Sequence, residues 1–127
     1  MIDWTKVITV EDKFAKAKEA KKAEIATARY NAERAGVTIN GVLIKTDRET
    51  QAVLTAACLQ AYIDSGYSLN WKTGDGTFVS VPAEQIMAFG TAVRAHVQGC
   101  FDHEAELLPL IEAATTEAEL DAIKWGD

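Results

Sequence analysis

Residues 37–44 read Val37-Thr38-Ile39-Asn40-Gly41-Val42-Leu43-Ile44. Asn-Gly between two β-branched runs predicts a β-hairpin, because a type I′ turn needs positive φ at both central residues. A second strand pair surrounds Asn70-Trp71-Lys72-Thr73-Gly74-Asp75-Gly76-Thr77-Phe78. There Leu69 and Trp71 alternate with polar residues, Thr73 to Gly76 turns the chain, and Thr77-Phe78-Val79-Ser80-Val81 returns. Helical patterns flank both hairpins. The chain therefore predicts an α+β fold: a long N-terminal Ala-rich helix, two β-hairpins forming a small antiparallel sheet, and a long core helix packed on that sheet.

Upstream, Thr9-Val10-Glu11-Asp12 offers a helix start, an acceptor followed three residues later by a carboxylate. From there to Ala35 the sequence is dominated by Ala, Lys, Glu and Arg, the strongest helix formers, with no Gly or Pro. A helix over 11–35 would span roughly 36 Å at about 1.5 Å per residue. Its apolar side is thin: Phe14, Ala17, Ile25, Ala28 and Ala32. Such a helix either projects into solvent or finds a partner, a second copy or another protein. Gly36 ends it as a C-cap. Residues 1–10 hold Ile2, Trp4, Val7, Ile8 and Val10 without helical spacing and read as an arm. Trp4 either docks on the domain formed by 11–127 or reaches a partner.

Downstream of the first hairpin, Thr46-Asp47-Arg48-Glu49 is a capping box for a second helix through Val53, Leu54, Ala57, Leu59, Ala61, Tyr62 and Ile63. Pro82 is expected as the first residue of the third helix, with Glu84 in its first turn. That helix repeats apolar residues at three- and four-residue steps through Ile86, Phe89, Val93, Val97, Cys100, Leu108 and Ile111. Pro109 is expected to kink or break it near its end. Thr116-Glu117-Ala118-Glu119 opens a short last helix, and Trp125 follows it.

The chain's 127 residues suit one domain. Thirteen Lys and Arg against 19 Asp and Glu give a net charge of −6, which argues against nucleic-acid binding. The lysines Lys13, Lys16, Lys18, Lys21 and Lys22 alternate with carboxylates, so helix-surface pairing explains them. No apolar run approaches the roughly 18 residues of a membrane span. Met1-Ile2-Asp3-Trp4-Thr5-Lys6 lacks the pattern of a signal peptide, so the chain is expected in a cytoplasm. Cys58 and Cys100 lie in apolar stretches and read as buried, reduced thiols, with a disulfide as the alternative.

Few residues suggest chemistry. His96, Cys100 and His103 fall at i, i+4 and i+7 with Glu104 adjacent, a weak metal-site pattern. Structural zinc sites instead draw ligands from separated segments. Gly74-Asp75-Gly76 lacks the Lys-Ser/Thr of a phosphate loop and reads as a hairpin turn. There is no Gly-x-Ser-x-Gly elbow and no Ser/His/Asp or Cys/His pair with supporting context. The expectation is a non-enzymatic protein with no cofactor.

Gly36-Val37-Thr38-Ile39-Asn40-Gly41, leading to Thr46-Asp47 and Gln51-x-x-Leu54, resembles the opening of a small domain of unknown function found in tailed-bacteriophage tail proteins. Asn70-Trp71-Lys72 with Gly76-Thr77-Phe78 is similar to its middle. The resemblance continues through Ala95-His96-Val97-Gln98, Phe101, Glu104, Leu107-Leu108 and Ile111-Glu112-Ala113-Ala114-Thr115-Thr116 to Glu119-Leu120-Asp121-Ala122-Ile123 and Trp125. It implies a phage or prophage tail gene product, encoded near tail fibres where assembly chaperones are common. It brings no catalytic or binding residues, and it includes His96 but not Cys100 or His103.

The resulting expectation is a tail fibre assembly chaperone that binds the fibre through apolar surface in the bacterial host cytoplasm. The alternative is a structural fibre or baseplate subunit retained in the virion tail, a homo-oligomer through the N-terminal helix. A metal-dependent enzyme on His96, Cys100 and His103 is the third reading. Aromatic residues dominate interface energetics. The expected partner contacts are thus Trp4, Phe14, Ala17, Ile25, Ala28, Trp71 and Trp125, each of which would equally serve in a core.

Overall fold

The computed structural model describes residues 9–126. Its elements are α1 (Val10–Glu33), β1 (Val37–Ile39), β2 (Val42–Ile44), α2 (Arg48–Ile63), β3 (Ser68–Lys72), β4 (Phe78–Pro82), α3 (Ala83–Ala113) and α4 (Glu117–Ala122). The fold is α+β, as the sequence predicts. The described residues divide into two compact units, one of residues up to Arg29 with those from Asp102 onward, and a central unit Tyr30–Phe101.

The turns form where local chemistry places them. Asn40 and Gly41 both take positive φ, 51° and 79°, so β1 and β2 pair in register Val37↔Ile44 and Ile39↔Val42. β3 and β4 pair antiparallel with Trp71 opposite Val79 and Leu69 opposite Val81. The hairpins are separate two-stranded sheets, not the single sheet expected. Each of β1 and β2 is three residues long, too short to carry a ladder to a second hairpin. The Gly74 N–H donates to the Leu43 carbonyl at 2.7 Å and links the two hairpins at one point. A Cβ on Gly74 would lie 2.6 Å from Leu43 Cγ, so this approach depends on glycine.

In the central unit, period-2 alternation turns Trp71 and Val81 inward from β3 and β4. They join Ile44, Leu54, Ala57, Ala61, Ile86, Phe89 and Val93 in one buried cluster. Trp71 meets Phe89 edge to face, ring centroids 6.5 Å apart. α2 contributes only Leu54, Ala57 and Ala61 as fully buried residues. It crosses α3 closely: a Cβ on Gly90 would lie 2.4 Å from Cys58 Sγ, and the Cys58 thiol donates to the Ile86 carbonyl at 3.4 Å. Both cysteines are free, which excludes the disulfide alternative.

In the other unit, Ile25 of α1 is buried with Leu107, Ile111, Ala114, Leu120 and Ile123. Phe14, Ala17, Leu108 and Trp125 pack around this cluster. Polar contacts reinforce it. Lys18 donates to the Glu112 carbonyl at 2.8 Å and Lys21 to the Ile123 carbonyl at 3.1 Å. Arg29 pairs with Glu104 at 3.0 Å, and Lys22 with Glu112. The first helix is therefore packed in this unit, where the sequence left it either projecting into solvent or finding a partner. Its thin stripe suffices because its lysines cap carbonyls that helix ends leave unsatisfied.

Local caps follow the sequence with small shifts. The Asp12 N–H donates to Thr9 Oγ1 at 3.0 Å, and the Glu119 N–H to Thr116 Oγ1 at 3.1 Å. α2 is capped by Asp47 rather than Thr46, with the Thr50 N–H donating to Asp47 Oδ2 at 3.3 Å. Pro82 closes β4, and α3 begins at Ala83. α3 runs through Pro109 without ending there. Pro109 and Ala105, whose carbonyl loses a helical partner, are both exposed, so water can satisfy that carbonyl. Among the described residues no helix is long and apolar enough to cross a membrane.

Candidate functional site

From Thr50 to Ile63 helix α2 contains no charged residue. One side of it is core. The other side exposes Val53 at 55 %, Leu59 at 62 %, Tyr62 at 79 % and Ile63 at 69 %. Ala52, Ala56, Leu59 and Ile63 fall at i, i+4, i+7 and i+11, so these exposed residues share one face. A contiguous apolar face of this kind marks an interaction surface more often than isolated exposed residues do.

Beside the first turns of α2 lies an open pocket of about 810 Å³ within the central unit. Val53, Leu69, Trp71 and Phe78 supply its apolar lining, and Arg34, Lys45 and Lys72 stand with Asp47 and Glu49 around it. Phe78 is exposed although it is large and apolar. The Trp71 indole N–H is buried without a hydrogen-bond partner, the one such side-chain group among the described residues. The Arg34 guanidinium lies 4.8 Å over the Tyr30 ring.

Two polar clusters hold this region in place. Glu33 is 1 % exposed; its carboxylate accepts from Gln51 Nε2 at 3.1 Å and pairs with Arg48 Nε at 3.3 Å. The buried Thr46 hydroxyl accepts from the Gly36 N–H at 2.9 Å and donates to the Glu33 carbonyl. Gln51 Nε2 also donates to the Thr46 carbonyl at 2.8 Å. Together these groups tie the end of α1 to the start of α2. In the β3–β4 turn, Asp75 Oδ1 accepts from the Thr73 hydroxyl, from the Thr77 N–H at 3.0 Å and from the Thr77 hydroxyl at 2.8 Å. Those donors, Thr73 first, hold the Asp75 carboxyl at about 2.

The contacts expected from sequence fall elsewhere. Trp4 lies outside the described residues. Ile25 is 1 % exposed and Trp71 6 %, so both belong to the cores, Trp71 with one edge at the pocket described above. Phe14 and Ala17 are half-buried against the Ile25 cluster, with Lys18 Nζ 5.3 Å from the Phe14 ring. Ala28 is half-buried beside a shallow depression lined by Lys21, Asp121 and Trp125. Trp125 is half-buried and meets His103 edge to face at 4.4 Å.

The histidines are structural. His96 Nε2 donates to the Ala32 carbonyl at 2.9 Å, and His103 Nε2 donates to the Trp125 carbonyl. Each ring therefore spends an N–H on backbone. Cys100 Sγ lies 4.0 Å from His96, but among the described residues no three His, Cys, Asp or Glu side chains gather as a metal site requires.

Residues 16–124 match the family model described as a domain of unknown function, DUF4376. The chain belongs to this family. No curated protein and no solved structure gives a significant match. The DUF4376 match spans both units, from the body of α1 through α4. The α2 face was legible in principle, because from Thr50 to Ile63 the helix carries no charge and more apolar residues than one buried side can use.

Proposed function

We propose that this DUF4376 protein is a non-enzymatic tail protein of a tailed bacteriophage or prophage, which binds a tail fibre chain and assists its assembly. The binding element is the outer face of α2. It covers apolar surface that the fibre exposes before it trimerises, and it leaves when fibre–fibre contacts replace it. The phage assignment draws on the resemblance of the sequence to tail-protein domains. The observation that carries the binding role is the uncharged α2 face with Leu59, Tyr62 and Ile63 open to solvent. Burying one such side chain stabilises a complex by about 1.5–3 kcal/mol, so three or four anchors suffice for a specific contact.

Co-expression with the fibre encoded beside it tests this reading. The expected result is a soluble complex captured through either partner, with the fibre insoluble alone, and loss of capture in Leu59→Glu and Ile63→Glu. Presence of the protein in mature particles would assign it instead as a structural fibre or baseplate subunit. A homo-oligomer that captures no fibre would reject the chaperone role.

A further inference from the structure

We infer that the pocket between β3–β4 and the start of α2 receives an acidic peptide segment of the partner, one carrying an apolar side chain between carboxylates. The inference rests on the binding-module reading above for the source of that segment, and on the pocket itself for its chemistry.

The first argument is charge. The protein is net −6, yet Arg34, Lys45 and Lys72 gather at this one pocket. All three are exposed, and among the described residues none has a carboxylate within ion-pair distance. Asp47 and Glu49 stand beside these three cations; the Thr50 hydroxyl and N–H, with Lys45 nearby, hold the Asp47 carboxyl below its ordinary value and charged, so the pocket sets three cations against two carboxylates. An anionic ligand therefore meets more free positive than negative charge here.

The second argument is shape and polarity. Trp71, Phe78, Val53 and Leu69 provide an apolar bed of a size that fits a side chain with its flanking backbone. A bare inorganic anion has no use for that bed. The Trp71 N–H adds an unmade hydrogen bond beneath it. That group is closed to solvent in the free protein, so a ligand acceptor reaches it only after a small rearrangement of the rim. The exposed cations carry the initial recognition. Val53 belongs both to the pocket and to the exposed side of α2, so one partner chain can run from the helix face into the pocket.

Amide chemical-shift mapping of the full chain tests the inference without the fibre. The probes are two blocked pentapeptides, Ac-Glu-Asp-Phe-Glu-Leu-NH₂ and Ac-Lys-Lys-Phe-Lys-Leu-NH₂, and an oligothymidylate of about ten nucleotides. The acidic peptide is expected to shift the Trp71 indole N–H and the Lys72 and Phe78 amides. Its affinity should fall at least about fivefold between about 50 and 300 mM salt. The double variant Lys45→Glu, Lys72→Glu should lose these shifts while its spectrum stays dispersed, since both side chains are exposed. Leu59→Glu should lose fibre capture yet keep the peptide response. Equal shifts with the basic peptide, stronger binding of the oligonucleotide at the same residues, or no response from Trp71 and Phe78 would each overturn the inference. Fibre capture that persists in the double variant with no peptide response would overturn it while leaving the assembly role intact.

Discussion

Glu33 is the most demanding residue in the chain. A carboxylate at 1 % exposure is costly unless its oxygens are satisfied. Gln51 satisfies one oxygen, while the Arg48 side chain stays 65 % exposed and screened by water. Glu33→Ala is expected to lower stability by about 3 kcal/mol, because it leaves the Gln51 amide short of a partner and opens a cavity. Arg48→Ala should cost less than about 1 kcal/mol, as an exposed ion-pair partner. Thermal unfolding of the two variants checks the ordering; equal losses would show that the ion pair, not the buried network, holds the site. Asp75 gives a pH signature. Its folded pKa is depressed to about 2 from the ordinary 3.8, so its contribution is complete above pH 4 and fades as pH falls toward 2. The Tm gap between wild type and Asp75→Ala should be constant from about pH 5 to 7 and close progressively below about pH 4. A gap that widens on acidification would reverse the sign and reject the hydrogen-bonded carboxylate. Asp75 was legible as a turn residue because its donors lie two residues away on either side. Glu33 was not, because Thr46 and Gln51 lie 13 and 18 residues further on.

At the scale of elements, local chemistry was readable and pairing was not. Asn40-Gly41 makes the turn it encodes, since only those two positions decide it. Thr9 and Thr116 cap helices for the same reason. Whether two hairpins share a ladder depends on how they meet in space, and the sequence carries no local signal for that. The packing of α1 was equally hidden: counting alanines underestimates a helix whose lysines reach the Glu112 and Ile123 carbonyls. The crossing of α2 and α3 is equally non-local, and it makes a sharp prediction. Gly90→Ala places a methyl 2.4 Å from Cys58 Sγ and should destabilise by about 1–3 kcal/mol. Adding Cys58→Ala should recover much of that loss, because the remaining Cys58 Cβ position is 3.8 Å away. Denaturant midpoints of the single and double variants form the cycle. Strict additivity would mean that the two residues do not meet.

At the scale of the molecule, several of the residues expected as partner contacts pack into the cores. Trp71, Ile25 and the Phe14–Ala17 pair serve the two cores, while Val53, Leu59, Tyr62 and Ile63 of α2 are among the large apolar side chains left exposed. Amphipathic spacing identifies a helix but does not tell which of two apolar sides faces inward. In α2 Leu54 went in with the small residues Ala57 and Ala61, which allow close approach, while Leu59 and Ile63 stayed out with Ala52 and Ala56. Leu59 and Ile63 thus leave unburied more apolar area than the alanines beside them. A buried core residue and an exposed α2 residue therefore predict different outcomes, and two substitutions separate them. Ile25→Ala removes a buried side chain and should cost about 2–5 kcal/mol whatever the partner does. Leu59→Glu changes an exposed residue and should leave the unfolding midpoint within about 0.5 kcal/mol of wild type. The same change should lower the binding of a hydrophobic dye to the native protein and abolish fibre capture. If Leu59→Glu instead unfolded the chain as Ile25→Ala does, the outer face of α2 would be part of a core, and the binding role assigned to it would fall.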